Sequence, residues 1–349
     1  MDLNHYGYFL PEKNLALTQA EPRDSSRLFV YDIEKDLIAF DYFFNLDKYL
    51  PENSFMVLNN TKVLPARVAM KKSMGGKVIV LFLVNELTGS RVIRAMVDRK
   101  IKVGEKLYFD ENNFVEIINQ KEHLFDLKLG FSREKLFALL KKYGTMPIPL
   151  YLKKSPLKRN ELLEKYQTIF AKIQGSSAAP TASLHFTDRV FGRLDKKRIK
   201  KYFITLHVGL GTFAPITNEN IKQKKLHKEY LEVDSSTLQS INRLKRKGKI
   251  LVAAGTTTVR TLESISQSEI YHLRSNIYNE TDLFIFPPYN FKMVDILITN
   301  FHLPKSSLMM LVEAFLQYKK SKKSLVELYK IAIKNEFRFY SFGDAMLII

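Results

Sequence analysis

Residues 294–320 read VDILITNFHLPKSSLMMLVEAFLQYKK, and this stretch decides the fold class. Its first eight residues are rich in Val, Ile and Leu, which is typical of a strand buried on both faces of a sheet. Its second part, SSLMMLVEAFLQYKK (306–320), has the pattern of a helix. Similar segments are the strand-like KYFITLHV (201–208), KILVAAG (249–255) and TDLFIFPP (281–288) and the helical TTVRTLESISQ (257–267). This alternation predicts an α/β domain with a largely parallel or mixed sheet.

A β-rich block interrupts this pattern from Arg67 to about Gly130. Its short segments follow one another at roughly 10-residue spacing, which suggests a small β-barrel or sandwich. A helical stretch follows at 132–144, and Pro147 and Pro149 exclude helix directly after it.

A second buried-strand candidate, FMVLNNT (55–61), lies on the N-terminal side of the β-rich block. The α/β pattern is therefore present on both sides of that block. We predict an inserted β-barrel domain at 67–150, within an α/β domain formed by 1–66 and 151–349.

The composition limits the chemistry that the chain can perform. Its 349 residues are 46% hydrophobic, which is enough for a sizeable core. The sequence opens without a signal-peptide pattern, and no apolar run reaches the ~18 residues of a membrane span, so we expect a soluble, cytoplasmic protein. The absence of Cys excludes disulfides, a Cys nucleophile and thiolate-bound metals. Chemistry must therefore come from His, carboxylates, hydroxyls or the backbone.

The net charge of +19 would attract nucleic acid or another polyanion. The basic clusters, however, are also compatible with ordinary solvated surfaces, so both interpretations stay open. The scarcer arginines are more informative, because Arg holds a carboxylate, a phosphate or a guanine edge in a fixed fork. Those that lie among turn and small residues are Arg23, Arg27, Arg67, Arg260 and Arg338.

Three histidines share one sequence context. In ASLHFT (182–187), ITLHVGLGTF (204–213) and ITNFHLPKSS (298–307), an apolar run gives way at the His to small or hydroxylic residues. The pocket of an α/β sheet lies beyond the carboxyl ends of its strands, where such residues converge. A single His at a strand end is also commonly structural. The candidates are His185, His207 and His302.

The segment AGTTTVRTLES (254–264) suggests an anion site. A buried strand leads through a glycine to Thr256 and Thr257 at a helix start, with Arg260 one turn inside the helix. A well-capped helix is the structural alternative. The nearby GLGTF (209–213) lacks the third glycine of a dinucleotide fingerprint, and no Walker loop, nucleophile elbow or HExxH pattern is present.

Long distinctive segments follow one another along the whole chain. They are EPRDSSRLFVYD (21–32), VLNNTKVLPARV (57–68), EKYQTIFAKIQGSSAAPTASLHFT (164–187), ITLHVGLGTFAPI (204–216), AAGTTTVRTLES (253–264), VDILITNFHLPKSSLMMLVEAF (294–315) and RFYSFGDAMLI (338–348). Together they resemble the S-adenosylmethionine:tRNA ribosyltransferase-isomerase family of queuosine biosynthesis. The resemblance implies an α/β domain with an inserted β-barrel.

The resemblance also implies a reaction. The ribosyl group of S-adenosylmethionine is transferred to 7-aminomethyl-7-deazaguanine at the tRNA wobble position and rearranged to an epoxycyclopentanediol, with release of adenine and methionine. S-Adenosylmethionine is a consumed cosubstrate, and no metal or prosthetic group is expected. The partners are tRNA and S-adenosylmethionine, and we expect a monomer.

On this basis we expect one of His185, His207 and His302 to act as general base, without a ranking among them. The expected substrate-binding residues are Tyr166, Gln167, Ser176, Thr181, Gly209, Gly211, Thr212, Thr256, Thr257, Arg260, Asn300 and Asp344. Tyr166 and Gln167 could instead end a helix, and Asp344 could instead belong to a turn.

The sequence departs from the family pattern at several positions. Val and Gly are expected where Ser177 and Ser183 stand, His at Thr145 and Gly at Pro288, and LHKEY (226–230) lacks the usual Met and Ser. Ser183 matters most, because a glycine there is compatible with a positive φ that serine tolerates poorly.

Two other classes of function remain as alternatives. One is a metal-dependent hydrolase with His185, His207 and His302 as zinc ligands, which requires all three nitrogens around one ion. The other is a non-catalytic tRNA-binding protein, which the charge and the β-barrel favour.

Overall fold

The computed structural model describes residues 3–84, 91–121, 124–209, 216–267 and 276–349. The strands are β1 (Arg27–Asp32), β2 (Leu37–Tyr42), β3 (Ser54–Asn59), β4 (Thr61–Val63), β5 (Arg67–Lys72), β6 (Lys77–Phe82), β7 (Val92–Val97), β8 (Lys106–Asp110), β9 (Asn113–Lys121), β10 (Leu124–Leu129), β11 (Ile173–Ser176), β12 (Lys200–Leu206), β13 (Lys225–Val233), β14 (Ile250–Ala254), β15 (Ile277–Leu283), β16 (Ile296–Asn300) and β17 (Ala345–Ile348). The helices are α1 (Arg133–Tyr143), α2 (Arg159–Lys165), α3 (Asp188–Lys196), α4 (Asn218–Gln223), α5 (Ser235–Arg246), α6 (Thr256–Ser266), α7 (Ser307–Tyr318) and α8 (Leu325–Lys334).

Nine strands form one large mixed sheet in the order β15-β13-β12-β3-β14-β16-β17-β1-β2. The central strands β12, β3, β14 and β16 are parallel to one another, whereas β13 runs antiparallel to β12 and β17 runs antiparallel to β16. Both faces are buried, because Phe55 and Val57 of β3 pack into one apolar core and Met56 and Leu58 into another. The expected α/β domain with a parallel or mixed sheet is confirmed.

The inserted β-rich block is a closed barrel with the strand order β10-β7-β6-β5-β8-β9. Its strands pair antiparallel throughout, and their inward-facing residues form a separate apolar core into which Leu136 and Leu140 of α1 also pack. The barrel is therefore confirmed over the alternative of a sandwich, while the domain boundaries at 67 and 150 stay a prediction.

Two chain crossings join the barrel to the α/β domain. Arg67 and Thr145 exchange backbone hydrogen bonds of 3.2 and 2.8 Å. Gly144, beside this pair, has a φ of −81° and is therefore not a left-handed helix cap. A Cβ at Gly144 would lie 1.7 Å from the Pro65 carbonyl oxygen, so the close approach of the two chain segments requires glycine there.

The four parallel strands place their carboxyl ends at the same edge of the large sheet. Beyond that edge lie Thr61, His207, Gly255 and His302, which follow β3, β12, β14 and β16 in the chain. The described part of the chain contains no helix that is both long and apolar enough to cross a membrane.

Candidate active site

A cavity of about 430 Å³ opens at this edge of the sheet. Its wall contains the loop before α3, the segment between β16 and α7, the first turn of α6, and residues of the C-terminal turn. The five consecutive small residues Ala178 to Ala182 all line the cavity. The run of small side chains therefore brings backbone close to the cavity space.

His302 lines the cavity, and His185 and His207 are absent from its lining. The Nε2 of His302 lies 2.8 Å from the Thr299 hydroxyl, and its backbone N–H donates to the Tyr329 hydroxyl at 2.9 Å. No described residue hydrogen-bonds its Nδ1. Burial lowers the pKa of His302 to about 3, so the ring is neutral at physiological pH.

His207 is held by contacts with β4, β11 and β13. Its Nδ1 lies 2.7 Å from the Thr61 hydroxyl, and its ring stacks on Tyr230. Gly175 lies against the ring, since a Cβ there would be 2.7 Å from Nε2. Burial lowers the pKa of His207 to about 4.

His185 is buried between Ser26 and Asn300. Its Nδ1 lies 2.8 Å from the Ser26 hydroxyl and its Nε2 lies 3.3 Å from the Asn300 Nδ2. Burial is the main cause that lowers the pKa of His185 to about 4; Asp344 opposes this decrease. Each of the three histidines thus pairs with a different hydroxyl group, and among the described residues no three His, Cys, Asp or Glu side chains could hold a metal ion together. The three-His zinc site is not formed here.

Arg260 lines the cavity from the second turn of α6. Its Nη1 donates to the Glu229 carboxylate and its Nε donates to the Leu283 carbonyl at 3.2 Å. Its Nη2 is buried and has no hydrogen-bond partner in the described structure. Since buried donors are normally paired, this N–H group is available to a ligand.

The threonines at the start of α6 lie next to this arginine. Thr256 and Thr257 both line the cavity, and the Thr257 hydroxyl accepts a hydrogen bond of 3.2 Å from Asn59. Gly255, which precedes them, has a φ of 93°, a conformation that favours glycine. The first turn of α6 therefore directs backbone N–H groups and hydroxyls toward the cavity.

Glu229 is a residue of this site that sequence reasoning did not find. Its Oε2 accepts from Arg260, and its Oε1 accepts from the backbone N–H of Gly209 at 2.9 Å. It lies on β13, where residues 229, 231 and 233 are buried alternately. An acidic residue at an inward position of a period-two strand was the available signal.

The remaining predicted substrate-binding residues divide into three groups. Tyr166, Thr181 and Asn300 line the cavity. Gln167, Ser176, Gly209 and Asp344 are absent from its lining, and Gly211 and Thr212 lie outside the described residues.

The predicted residues away from the cavity have backbone partners. Gln167 pairs with both backbone groups of Val63, at 3.1 and 2.7 Å. Ser176 accepts from the Val208 N–H at 2.9 Å and donates to the Ala178 carbonyl at 2.8 Å. Their polar atoms hold the loop in place.

Asp344 belongs to a turn and not to the cavity wall. Its carboxylate accepts hydrogen bonds from the backbone N–H groups of Arg27 and Arg338 at 3.1 and 2.8 Å, and from the Arg338 guanidinium at 3.0 Å. The C-terminal turn is fixed by these contacts.

The expectation of strain at Ser183 is wrong. Ser183 belongs to a short 3-10 helix, Thr181–Ser183, and it is not among the residues with positive φ. The same backbone is open to any residue, because a right-handed turn imposes no penalty on a Cβ. The side-chain hydroxyls of Ser177 and Ser183 are buried without a partner in the described structure.

The sequence matches the model of the family described as queuosine biosynthesis protein over residues 3–348. The chain belongs to this family. Among its relatives, the S-adenosylmethionine:tRNA ribosyltransferase-isomerases of Thermosipho melanesiensis and Staphylococcus saprophyticus subsp. saprophyticus are each 41% identical, with 100% of both chains covered. The crystal structure of S-adenosylmethionine tRNA ribosyltransferase from Thermotoga maritima is similar at 31% identity and a TM-score of 0.55, with 99% of both chains covered. Membership of the queuosine biosynthesis family thus extends over both the α/β domain and the barrel.

Proposed function

We propose that the chain transfers the ribosyl group of S-adenosylmethionine to 7-aminomethyl-7-deazaguanine at the wobble position of tRNA and isomerises it. The products are epoxyqueuosine-tRNA, adenine and methionine. The names of the full-length relatives support the cosubstrate and the reaction class. The observation that carries the proposal is the cavity, because its lining contains both a neutral histidine and an arginine with an unpaired N–H group.

His302 is the proposed general base. The sulfonium of S-adenosylmethionine acidifies the adjacent 5′ carbon of its ribose, so a neutral imidazole can remove a proton there. If the Nε2–H donates to Thr299, the lone pair of Nδ1 receives that proton. The cavity position of His302 is the reason to rank it above His185 and His207.

Arg260 is the proposed partner of the methionine carboxylate. Glu229 neutralises the arginine and occupies Nη1, while Nη2 stays free for a ligand. The first turn of α6 adds N–H groups and the hydroxyls of Thr256 and Thr257. A carboxylate placed there would be held at a helix N-terminus as well as by the guanidinium. No prosthetic group is needed in this scheme.

Incubation of the purified chain with S-adenosylmethionine and tRNA that bears 7-aminomethyl-7-deazaguanine tests the proposal. We expect release of free adenine and, in nucleoside mass spectrometry, addition of the epoxycyclopentanediol group to the base. Tight binding of tRNA without either product would contradict the proposal and favour the alternative of a tRNA-binding protein, to which the net charge of +19 also points. The same tRNA without the modified base serves as the control.

A further inference from the structure

Asn300 combines a position in the cavity lining with a buried, unpaired side-chain oxygen. Asn300 ends β16, lines the cavity and is only 1% exposed. Its Oδ1 is buried and has no hydrogen-bond partner among the described residues. Buried amide oxygens are nearly always paired, so this oxygen lacks a donor that a ligand can supply.

The surroundings of the other amide atom determine which way the side chain faces. Nδ2 lies 3.3 Å from His185 Nε2, 3.4 Å from the Tyr340 carbonyl oxygen and 3.5 Å from the Asp344 carbonyl oxygen. If the amide were rotated by 180°, its oxygen would face two carbonyl oxygens with no proton between them. Only the observed orientation lets the amide donate, and it leaves Oδ1 free.

His185 completes this arrangement as an acceptor. Its Nδ1 pairs with the Ser26 hydroxyl at 2.8 Å, and its ring lies against Phe43 with centroids 5.1 Å apart. A neutral imidazole has one N–H, so when Nδ1–H donates to Ser26 the Nε2 accepts from Asn300. His185 is absent from the cavity lining, whereas its hydrogen-bond partner Asn300 belongs to that lining.

The C-terminal turn holds the two carbonyl groups in place. Tyr340 has a φ of 73°, a left-handed conformation that is uncommon for a non-glycine residue. Gly343 is equally constrained, since a Cβ there would lie 2.4 Å from the Arg338 carbonyl oxygen. The hydrogen bonds of Asp344 described above close this turn.

We propose that Oδ1 of Asn300 accepts a hydrogen bond from an amine or hydroxyl group of the nucleoside bound in the cavity, and that His185 is a positioning residue that fixes this oxygen. The choice of a nucleoside rests on the proposed function. The donor belongs either to S-adenosylmethionine or to the modified base of the tRNA, and the experiment separates these two sources.

The first test removes the acceptor. We expect N300A to raise, on the order of 10-fold, either the Kd of S-adenosylmethionine measured by calorimetry or the Kd of the modified tRNA measured without S-adenosylmethionine. A higher Kd of S-adenosylmethionine assigns the donor to this cosubstrate, and a higher Kd of the tRNA alone assigns it to the base. Values within twofold of wild type for both constants would overturn the proposal, provided that thermal unfolding shows a folded variant.

The second test separates positioning from proton transfer at His185. A glutamine amide oxygen can accept from Asn300 but cannot act as a general base, so we expect H185Q to keep kcat within about threefold of wild type. A loss of kcat on the order of 100-fold or more would overturn the positioning role. H185L, which has no acceptor, should raise the same constant as N300A.

The double variant H185L/N300A gives the sharpest outcome. If His185 acts through Asn300, H185L adds no further change to the constant that N300A alters. If the change in the double variant equals the product of the changes in the two single variants, the proposal is overturned. The matched control is H207Q, which changes a buried histidine that does not line the cavity and should leave this constant unchanged, both alone and in combination with N300A. Binding is measured without turnover, so absence of product alone would count only against the proposed function; absence of binding by either ligand to the wild-type chain would overturn both.

Discussion

The barrel and the cavity wall are built from opposite kinds of buried residue. Between residues 67 and 150, every buried side chain in the described structure is apolar, whereas the α/β part buries histidines, threonines, an arginine and several carboxylates. Arg260 and Asn300 of the α/β part line the cavity and each leave a buried polar atom unpaired. The interior of the barrel thus serves packing alone, and the buried groups able to act on a ligand belong to the α/β part.

The largest effect is expected at His302. If it is the base, H302Q should lower kcat by about 10²- to 10⁴-fold, because the amide cannot accept a proton at the cavity. Steady-state adenine release measures the change. H207Q is the matched control and should keep nearly normal kcat, since His207 is absent from the cavity lining. Equal losses of kcat in H302Q and H207Q would mean that a histidine in the cavity lining has no greater role in the reaction than one outside it.

In the barrel we expect a loss of stability without a loss of binding. Leu127 is fully buried in the apolar core of the barrel, so L127A should cost about 2–5 kcal/mol of unfolding free energy. Urea unfolding of the barrel transition measures the cost, and calorimetry should show an unchanged Kd for S-adenosylmethionine. A Kd that rises more than threefold in the folded variant would contradict the separation of the two regions.

At Arg260 we expect a loss of binding without a loss of stability. R260K keeps the charge opposite Glu229 but removes the second guanidinium N–H, and a hydrogen bond to a charged group is typically worth about 1.5–3 kcal/mol. The Kd of S-adenosylmethionine should therefore rise about 10- to 100-fold. R193K is the control. Arg193 pairs with Asp47 at 2.8 Å, and it is absent from the cavity lining. If S-adenosylmethionine binds normally to R260K, the unpaired N–H serves tRNA or the fold instead.

The pH dependence of stability sharpens the comparison, since His185, His207 and His302 lie outside the barrel. Their pKa values are lowered to about 4, 4 and 3 by burial, below the ~6.5 of an unfolded chain. The unfolded chain therefore binds more protons in this interval, so the contribution to stability is complete above pH ~6.5 and is lost as the pH falls.

A decrease from pH 7 to pH 5 should thus lower the unfolding free energy by about 2 kcal/mol for each of these buried histidines. Urea titrations of wild type and H207Q at both pH values isolate one of them. The wild type should lose about 2 kcal/mol more than the variant. Identical losses would mean that His207 takes up a proton in the folded chain at pH 5.

Much of the fold could be predicted, because the spacing of apolar residues along the sequence depends only on which side chains are buried. The period-two segments after Arg67 indicated the barrel, and the long apolar runs indicated the central strands. The direction of β17 was beyond such reasoning, because a strand carries the same pattern in either direction. Gly144 caps the end of α1, but its close contact with Pro65 depends on a distant part of the chain, which local sequence does not reveal.

The site was less predictable, because a position at a strand end does not tell which way a side chain faces. His185 and His302 have the same context in the sequence, yet only His302 lines the cavity. Ser176 and Gln167 are similarly directed at backbone groups. Glu229 was missed because its importance comes from its contact with Arg260, a residue on another element. The catalytic and binding roles of all these residues stay predictions.

The paired crossings at Arg67 and Thr145 have a consequence for how the chain can be altered. Since the segment leaves and re-enters the α/β domain at two hydrogen-bonded residues, its two ends lie side by side, as the ends of a tight turn do. A short turn in place of the barrel would therefore leave the strand order of the large sheet unchanged. The barrel is thus attached in the way that an inserted domain is attached to its host.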